Sequence, residues 1–202
     1  VVLATGVKPR ELELEGVDHP KVLSYLDVLE KERIVGQKVA VIGAGGIGID
    51  LAHYLTAQTP ISGEVSEYLQ GYGILDSETA LELRKPKKRK VTVLQRSAEK
   101  IGKRLGKTTG WAHIQTLKSH GVQLLPGATY FKIDDSGLHM RVSIKKGEEP
   151  QDIVLDVDNV IVAAGQEPRR ELETTLRKAG FEVRVIGGAR QALGLDAKTA
   201  IN

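Results

Sequence analysis

Apolar and polar positions along this chain change period several times, and each change marks an element. Val39-Ala40-Val41-Ile42, Val91-Thr92-Val93-Leu94 and Val160-Ile161-Val162-Ala163-Ala164 are apolar runs of strand length. Continuous runs of this kind fit strands covered on both faces, as in a parallel sheet. After the first run the spacing turns helical, predicting a helix over 47–57. A second helix is expected over 108–120, where Trp111, Ile114 and Leu117 form one stripe before Gly121 stops it. That stripe places Trp111 in the core. Val122-Gln123-Leu124-Leu125 then reads as a strand. Three period-two segments follow at 129–133, 138–144 and 153–155, separated by Asp134-Asp135-Ser136-Gly137 and by the polar stretch 145–150, which predicts an antiparallel meander. A buried strand over 157–164 completes the pattern.

Other stretches qualify this outline. Val1-Val2-Leu3-Ala4-Thr5-Gly6 is a buried-type strand ending in glycine, without an initiator methionine, so the chain is expected to be cut from a larger protein. Residues 7–20 are polar and broken by Pro9, Gly16 and Pro20, reading as a linker in which Glu11, Glu13 and Glu15 are solvated. Ser24 with Asp27 three positions later is a capping-box pattern for a short helix, with Leu26, Leu29 and Val28 facing inward. Residues from about 58 to 90 delay the next strand and read as an insertion, within which 77–84 has helical character.

Composition narrows the function classes. At 202 residues and 41% hydrophobic content, the chain can bury one good core or two small ones. Its apolar runs are too short to cross a bilayer and no signal-type segment is present, so a soluble, cytoplasmic protein without a membrane partner is expected. The absence of cysteine removes disulfides, thiolate metal sites, iron–sulfur ligation and a cysteine nucleophile from this chain. Arg84-Lys85-Pro86-Lys87-Lys88-Arg89-Lys90 concentrates positive charge, but no aromatics interleave it; a solvated loop is expected rather than a nucleic-acid surface. The five histidines show no metal-ligand spacing, and no metal site is expected.

The chemistry lies at the first strand–helix junction. Gly43-Ala44-Gly45-Gly46-Ile47-Gly48 reproduces G-x-G-x-x-G between a strand and a helix, the context that presents unpaired helix amides to a dinucleotide pyrophosphate. Gly43 suits the tight turn, Gly45 the approach of phosphates, and Gly48 close helix–strand packing. An acidic residue ending the second strand would bind the ribose hydroxyls of NAD and repel a 2′-phosphate. Gln95-Arg96-Ser97 stands there instead, so Arg96 is expected on the 2′-phosphate and NADPH is preferred, with Lys100, Lys103 and Arg104 as helpers. A phosphate-binding P-loop fails at Lys107, because Ile101 occupies the position of its first glycine. Thr108 reads as a helix N-cap. Two other readings stay open on these residues: a non-catalytic nucleotide-sensing module, and a nucleic-acid binder using the basic run.

Ala4-Thr5-Gly6, the glycine turn, the meander and Ala164-Gly165-Gln166-Glu167-Pro168 resemble flavoprotein reductases with two dinucleotide-binding domains. With His19-Pro20-Lys21-Val22-Leu23-Ser24-Tyr25-Leu26-Asp27-Val28-Leu29 and Leu105-Gly106-Lys107-Thr108-Thr109-Gly110-Trp111, the chain is similar to the C-terminal part of the bacterial NADPH-dependent 2,4-dienoyl-CoA reductase family, related to old yellow enzyme. The resemblance implies an α/β fold: a Rossmann-like three-layer NADPH domain with an antiparallel β-meander, flanked by strands of a split FAD domain. Residues 1–20 would be an FAD-domain remnant, 21–166 the NADPH domain, and 167–202 a partial return to the FAD domain. It also implies an FMN barrel, a 4Fe-4S cluster and the rest of the FAD domain outside this chain, through which NADPH electrons reach a dienoyl-CoA. Related flavoproteins act on other enals or amines. Ala164, Gly165 and Gln166 would lie by the nicotinamide ribose, and Thr5, Gly6, Gly187 and Gly188 by FAD. Gly188 stands where many relatives carry Asp, and Arg169 where Asn often follows the proline.

Overall fold

The computed structural model describes residues 1–31, 33–56, 63–84, 89–103, 105–106, 108–143 and 147–192. Its strands are β1 (Val2–Leu3), β2 (Val7–Pro9), β3 (Val22–Ser24), β4 (Lys38–Ile42), β5 (Lys90–Gln95), β6 (Gln123–Pro126), β7 (Thr129–Asp134), β8 (Gly137–Val142), β9 (Gln151–Leu155), β10 (Asn159–Val162), β11 (Gln166–Pro168) and β12 (Arg184–Val185). Its helices are α1 (Tyr25–Leu29), α2 (Gly46–Thr56), α3 (Gly63–Gly71), α4 (Ser77–Arg84), α5 (Gly110–Ser119), α6 (Glu171–Lys178) and α7 (Gly187–Arg190). The expected α/β architecture is present. A parallel sheet in the order β3-β10-β4-β5-β6 forms the middle layer, and β7-β8-β9 form a separate antiparallel meander.

Strand alternation divides the core. Val39 and Val41 of β4, Val91 and Val93 of β5 and Ile161 of β10 face Ile49, Leu51, Leu55, Ile114 and Leu117 of the helical layer. The intervening Ala40, Ile42, Leu94 and Val160 face Ile133, Leu138, Met140 and Val142 of the meander. Successive strand side chains point to opposite faces, so an uninterrupted apolar run is what a doubly covered sheet requires.

Several elements depart from the sequence reading. The linker is partly structured: β2 pairs antiparallel with β11, and the Ile133 amide donates to the Glu15 carbonyl (2.9 Å). Leu12 and Leu14 pack on the meander core while Glu11, Glu13 and Glu15 stay exposed, as expected for those carboxylates. Val22–Ser24 form an edge strand, its three residues too few to show a period. The Ser24–Asp27 capping box is present: Ser24 N–H donates to Asp27 Oδ2 (2.8 Å) and Asp27 N–H to Ser24 Oγ (3.1 Å). Lys31 and Ser24 hold the Asp27 carboxyl down at about 2. In α1, however, Tyr25 and Val28 are buried while Leu29 is 46% exposed, because so short a helix presents only one turn to the core. Trp111 is also a correction: it is 72% exposed, its indole N–H bonded to the Thr108 carbonyl (3.0 Å), and of the predicted stripe Ile114 and Leu117 reach the hydrophobic core. Thr109, not Thr108, stands at the N-cap position of α5, and its side chain makes no capping hydrogen bond.

The insertion contains α3 in addition to the expected α4, with exposed Tyr68 and Tyr72 rings 4.7 Å apart. Ala57, Ile144, and residues 85–88 of the basic run lie outside the described residues. Arg89 of that run is not a solvated charge. Its guanidinium donates to the carbonyls of Gly36 (3.1 Å), Leu55 (3.3 Å) and Val35 (3.4 Å), closing the lower end of the sheet. No described helix is long and apolar enough to cross a membrane.

Between α2 and α5, His53 and His113 meet edge to face with centroids 5.3 Å apart. His53 Nε2 is shut off from solvent and has no hydrogen-bond partner among the described residues. Burial, then the neighbouring His113, lowers its pKa from 6.5; Asp50 opposes this and His120 adds to it. Between 6.5 and the lower folded value, the unfolded chain binds a proton that the folded chain does not, so stability falls as pH falls through that window. The drop in urea midpoint between about pH 7.5 and about pH 5.5 is expected to shrink in His53→Leu; an undiminished drop would refute this account.

Candidate nucleotide-binding edge

The parallel register brings three strand ends together. Ile42 lies opposite Leu94 on one side and Val162 on the other, so the residues that follow all emerge at one edge: Gly43, Gln95 and Ala163. Gly43 N–H donates to the Leu94 carbonyl (2.9 Å), and Ala163 N–H to the Ile42 carbonyl (2.8 Å). In open parallel sheets this edge, outside the carboxyl ends of the strands, is where ligands sit.

The glycines divide into two kinds. Gly43 has φ +118°, and a Cβ there would lie 2.2 Å from the Ala163 carbonyl oxygen. At Gly48 a Cβ would lie 1.9 Å from the Gly43 oxygen. Both are therefore packing glycines. Gly45 and Gly46 are exposed, and a Cβ on either would meet nothing within 4 Å. They leave bare backbone at the start of α2, whose eleven residues carry no acidic side chain in the first turn. Amides at such a helix start attract anions. Ala44 and Ile47 pack inward on the helical core and hold this turn in place. The bare cradle and the uncompensated helix end fit a dinucleotide pyrophosphate.

At the neighbouring strand end, Gln95 acts on its own loop. Its Nε2 donates to the carbonyls of Ser97 (2.9 Å) and Glu99 (2.7 Å). The backbone there is sewn to the start of β7, with Gly127 N–H on the Ser97 carbonyl (3.0 Å) and Ala128 N–H on the Gln95 carbonyl (2.9 Å). Ser97 Oγ accepts from the Glu99 amide (3.2 Å). Arg96 sits between these anchored residues, exposed, with no ion pair or hydrogen bond among the described residues. Lys103 is engaged with Glu99 (2.6 Å), Lys100 is exposed, and Arg104 and Lys107 lie outside the described residues.

On the other flank, Gly165 has φ +114° and accepts the Arg10 amide (3.1 Å), while Ala164 packs toward the meander core. Gln166 Nε2 donates to the Tyr25 hydroxyl (3.1 Å). Tyr25 and Arg10 had no signal in the sequence; both reach this flank through pairing of distant segments.

Thr5, Gly6, Gly187 and Gly188 belong to a second cluster. Thr5 Oγ1 donates to the Arg169 carbonyl, and the Arg169 amide to the Gly6 carbonyl (3.0 Å). β1 pairs in parallel with β12, and Arg170 Nε donates to the Ala189 carbonyl at the adjoining α7. Gly188 is buried there and Gly187 half-buried with φ +57°. The β2–β11 ladder runs between the two clusters, from Gln166 to Pro168. No group of three or more histidine or acidic side chains suited to a metal ion occurs among the described residues.

A family model described as pyridine nucleotide-disulphide oxidoreductase matches residues 1–191. A metal reductase from Desulforamulus reducens is 30% identical over 192 residues, covering 94% of this chain and 27% of that protein. A cinnamate reductase from Clostridium sporogenes is 48% identical over 58 residues, 29% of this chain and 8% of that one. A solved complex of 2-naphthoyl-CoA reductase with 2-naphthoyl-CoA superposes on 98% of this chain and 24% of its own, with TM-score 0.70 and 25% identity. The chain thus spans about a quarter of the length of the curated relatives that it matches along most of its own length.

The two kinds of glycine separate folding from binding. Gly48→Ala is expected to lower Tm by roughly 3–10 °C, since a methyl group is forced into backbone. Gly45→Ala is expected to keep Tm within about 2 °C while weakening dinucleotide binding at least about tenfold. Equal effects of the two changes on melting and on a nucleotide titration would contradict the division.

Proposed function

We infer that this chain, which belongs to the pyridine nucleotide-disulphide oxidoreductase family, is the NADPH-binding part of a flavin-dependent reductase of the 2,4-dienoyl-CoA reductase type. Members of the family are flavin-dependent oxidoreductases that bind FAD and NAD(P)H. The observation that carries the finer reading is the strand end at Gln95-Arg96-Ser97. It bears no carboxylate, and it sets an unpaired guanidinium one strand away from the glycine turn.

When bound, NADPH supplies a hydride from its nicotinamide ring to a flavin. The task left to the protein is positioning and electrostatics, without an acid–base residue. The amides at Gly45 and Gly46 would hold the pyrophosphate, and the Arg96 guanidinium would pair with the 2′-phosphate. Gln95 fixes the loop that carries Arg96. Ala164, Gly165 and Gln166 border the nicotinamide ribose, with Tyr25 orienting the Gln166 amide. Thr5, Gly6, Gly187 and Gly188 would border FAD. The remainder of that domain, an FMN barrel and a 4Fe-4S cluster belong to sequence outside this chain. Support for a CoA thioester substrate comes from the likeness to 2-naphthoyl-CoA reductase, and the short stretch shared with a cinnamate reductase supports reduction of a conjugated double bond.

Arg96→Ala is expected to raise the Kd for NADPH by at least about tenfold and to leave that for NADH within about twofold, because only one cofactor carries the lost charge partner. Isothermal titration of both nucleotides tests this. Equal affinity of the parent chain for the two would end the NADPH assignment.

A further inference from the structure

We propose that Arg10 is a second cationic ligand of the dinucleotide, pairing with the phosphate on its nicotinamide side and serving NADH and NADPH alike. The inference rests on the nucleotide reading above and adds a residue to it.

The place of Arg10 follows from the segment that leaves β10. A Cβ on Gly43 would collide with the Ala163 carbonyl and lie 3.0 Å from the Ala164 amide nitrogen, so residues 163–164 cross directly against the glycine turn. Gly165 is one residue further along. Its carbonyl accepts the Arg10 amide (3.1 Å), which extends the β2–β11 ladder by one bond. Gly165 has φ +114°, and a Cβ built on it would lie 3.7 Å from Arg10 Cζ and 3.9 Å from Nε and Nη1. The guanidinium therefore lies beside bare backbone, one residue past the contact with the turn.

This guanidinium is available to a ligand. Arg10 is exposed, and its side chain makes no hydrogen bond among the described residues. Its ion pair with Glu167 is long, 4.0 Å, and both side chains are about half exposed. A pair of that kind contributes little, and the side chain exchanges it at small cost for charge-assisted bonds to a phosphate.

Positive charge is then arranged on both sides of the turn. β10 and β5 flank β4, with Arg10 beside the chain that leaves β10 and Arg96 just past the end of β5. Neighbouring strands are about 4.8 Å apart, so the two strand ends stand about 10 Å from each other across Gly43. NADPH carries negative charge at its 2′-phosphate and its pyrophosphate, and NADH at its pyrophosphate only. A nucleotide with its adenosine half at Arg96 and its nicotinamide ribose at 164–166 passes its pyrophosphate over Gly45 and Gly46, which turns the nicotinamide-side phosphate toward Arg10. Arg96 thus selects between the two cofactors, and Arg10 holds what they share.

Calorimetric titration of the parent chain and Arg10→Gln with NADPH, NADH and adenosine 2′,5′-bisphosphate tests the assignment. Arg10→Gln keeps the backbone amide that bonds Gly165, so ligand-free Tm is expected within about 2 °C of the parent. NADPH and NADH are expected to weaken by the same factor, about tenfold. Adenosine 2′,5′-bisphosphate lacks the nicotinamide-side phosphate, and its affinity is expected to stay within about twofold. Unchanged affinity for both dinucleotides in Arg10→Gln, or an equal loss for the bisphosphate, overturns the role of Arg10 and leaves the dinucleotide site standing. A parent that binds neither dinucleotide overturns the nucleotide reading together with it.

Discussion

Everything at the nucleotide edge depends on backbone meeting backbone with no side chain between. The Gly43 turn lies against the Ala163 carbonyl, and Gly48 of α2 lies against Gly43 in turn. The β4–α2 turn is thereby stacked within van der Waals reach of a segment over a hundred residues away, and the Ile42–Ala163 and Gly43–Leu94 hydrogen bonds fix their heights. With any Cβ at either position, α2 would ride up from the sheet and its first amides would point elsewhere. The site is thus a by-product of the closest packing in the molecule, which is why its position is stiff although its surface is bare.

The two ends of the parallel sheet are finished differently. At the lower end Arg89 satisfies three carbonyls at once, and the Asp158 carboxylate accepts the amides of Gln37 and Lys38 (2.7 and 2.8 Å). At the upper end the exposed groups are donors without acceptors: the Gly45–Gly46 backbone at the helix start and the Arg96 guanidinium. A protein leaves buried or clustered donors unpaired only at a cost. The polarity of the molecule, closed below and electropositive above, follows from where side-chain acceptors are and are not supplied.

How much of this was legible depended on whether the signal was local. The β4–Gly–α2 unit, the Ser24–Asp27 capping box and the three meander strands each follow from residues within a few positions of one another, and all stand where the pattern put them. Arg96 was identifiable because strand order turns a sequence position into a place beside the glycine turn. Pairings between remote segments left no trace: β2 with β11, β1 with β12, and Gln166 with Tyr25. The packing of Tyr130 on the meander core was concealed, since period-two counting from Ile133 assigns it to the outside and only the register shift between Tyr130 and Lys132 reverses that. Trp111 misled in the opposite sense. Its spacing from Ile114 and Leu117 is that of a buried stripe, but the stripe reaches solvent before it reaches the indole.

The route of α2 has a further consequence. The helix begins at the upper edge, runs back along the sheet and ends near the level where β5 starts, opposite Lys38. Residues added between α2 and β5 therefore leave the body of the domain at its sealed end, on the order of 15 Å from the glycine turn for a five-residue strand. Over thirty residues of chain separate the helix from its next strand here, and yet Arg96 stands one strand from Gly43 as it would after a loop of three. The domain keeps its nucleotide geometry in units of strands, not residues. Length variation at this junction is thus free to accumulate, and a ruler laid along the sequence would misjudge the site in proportion to it.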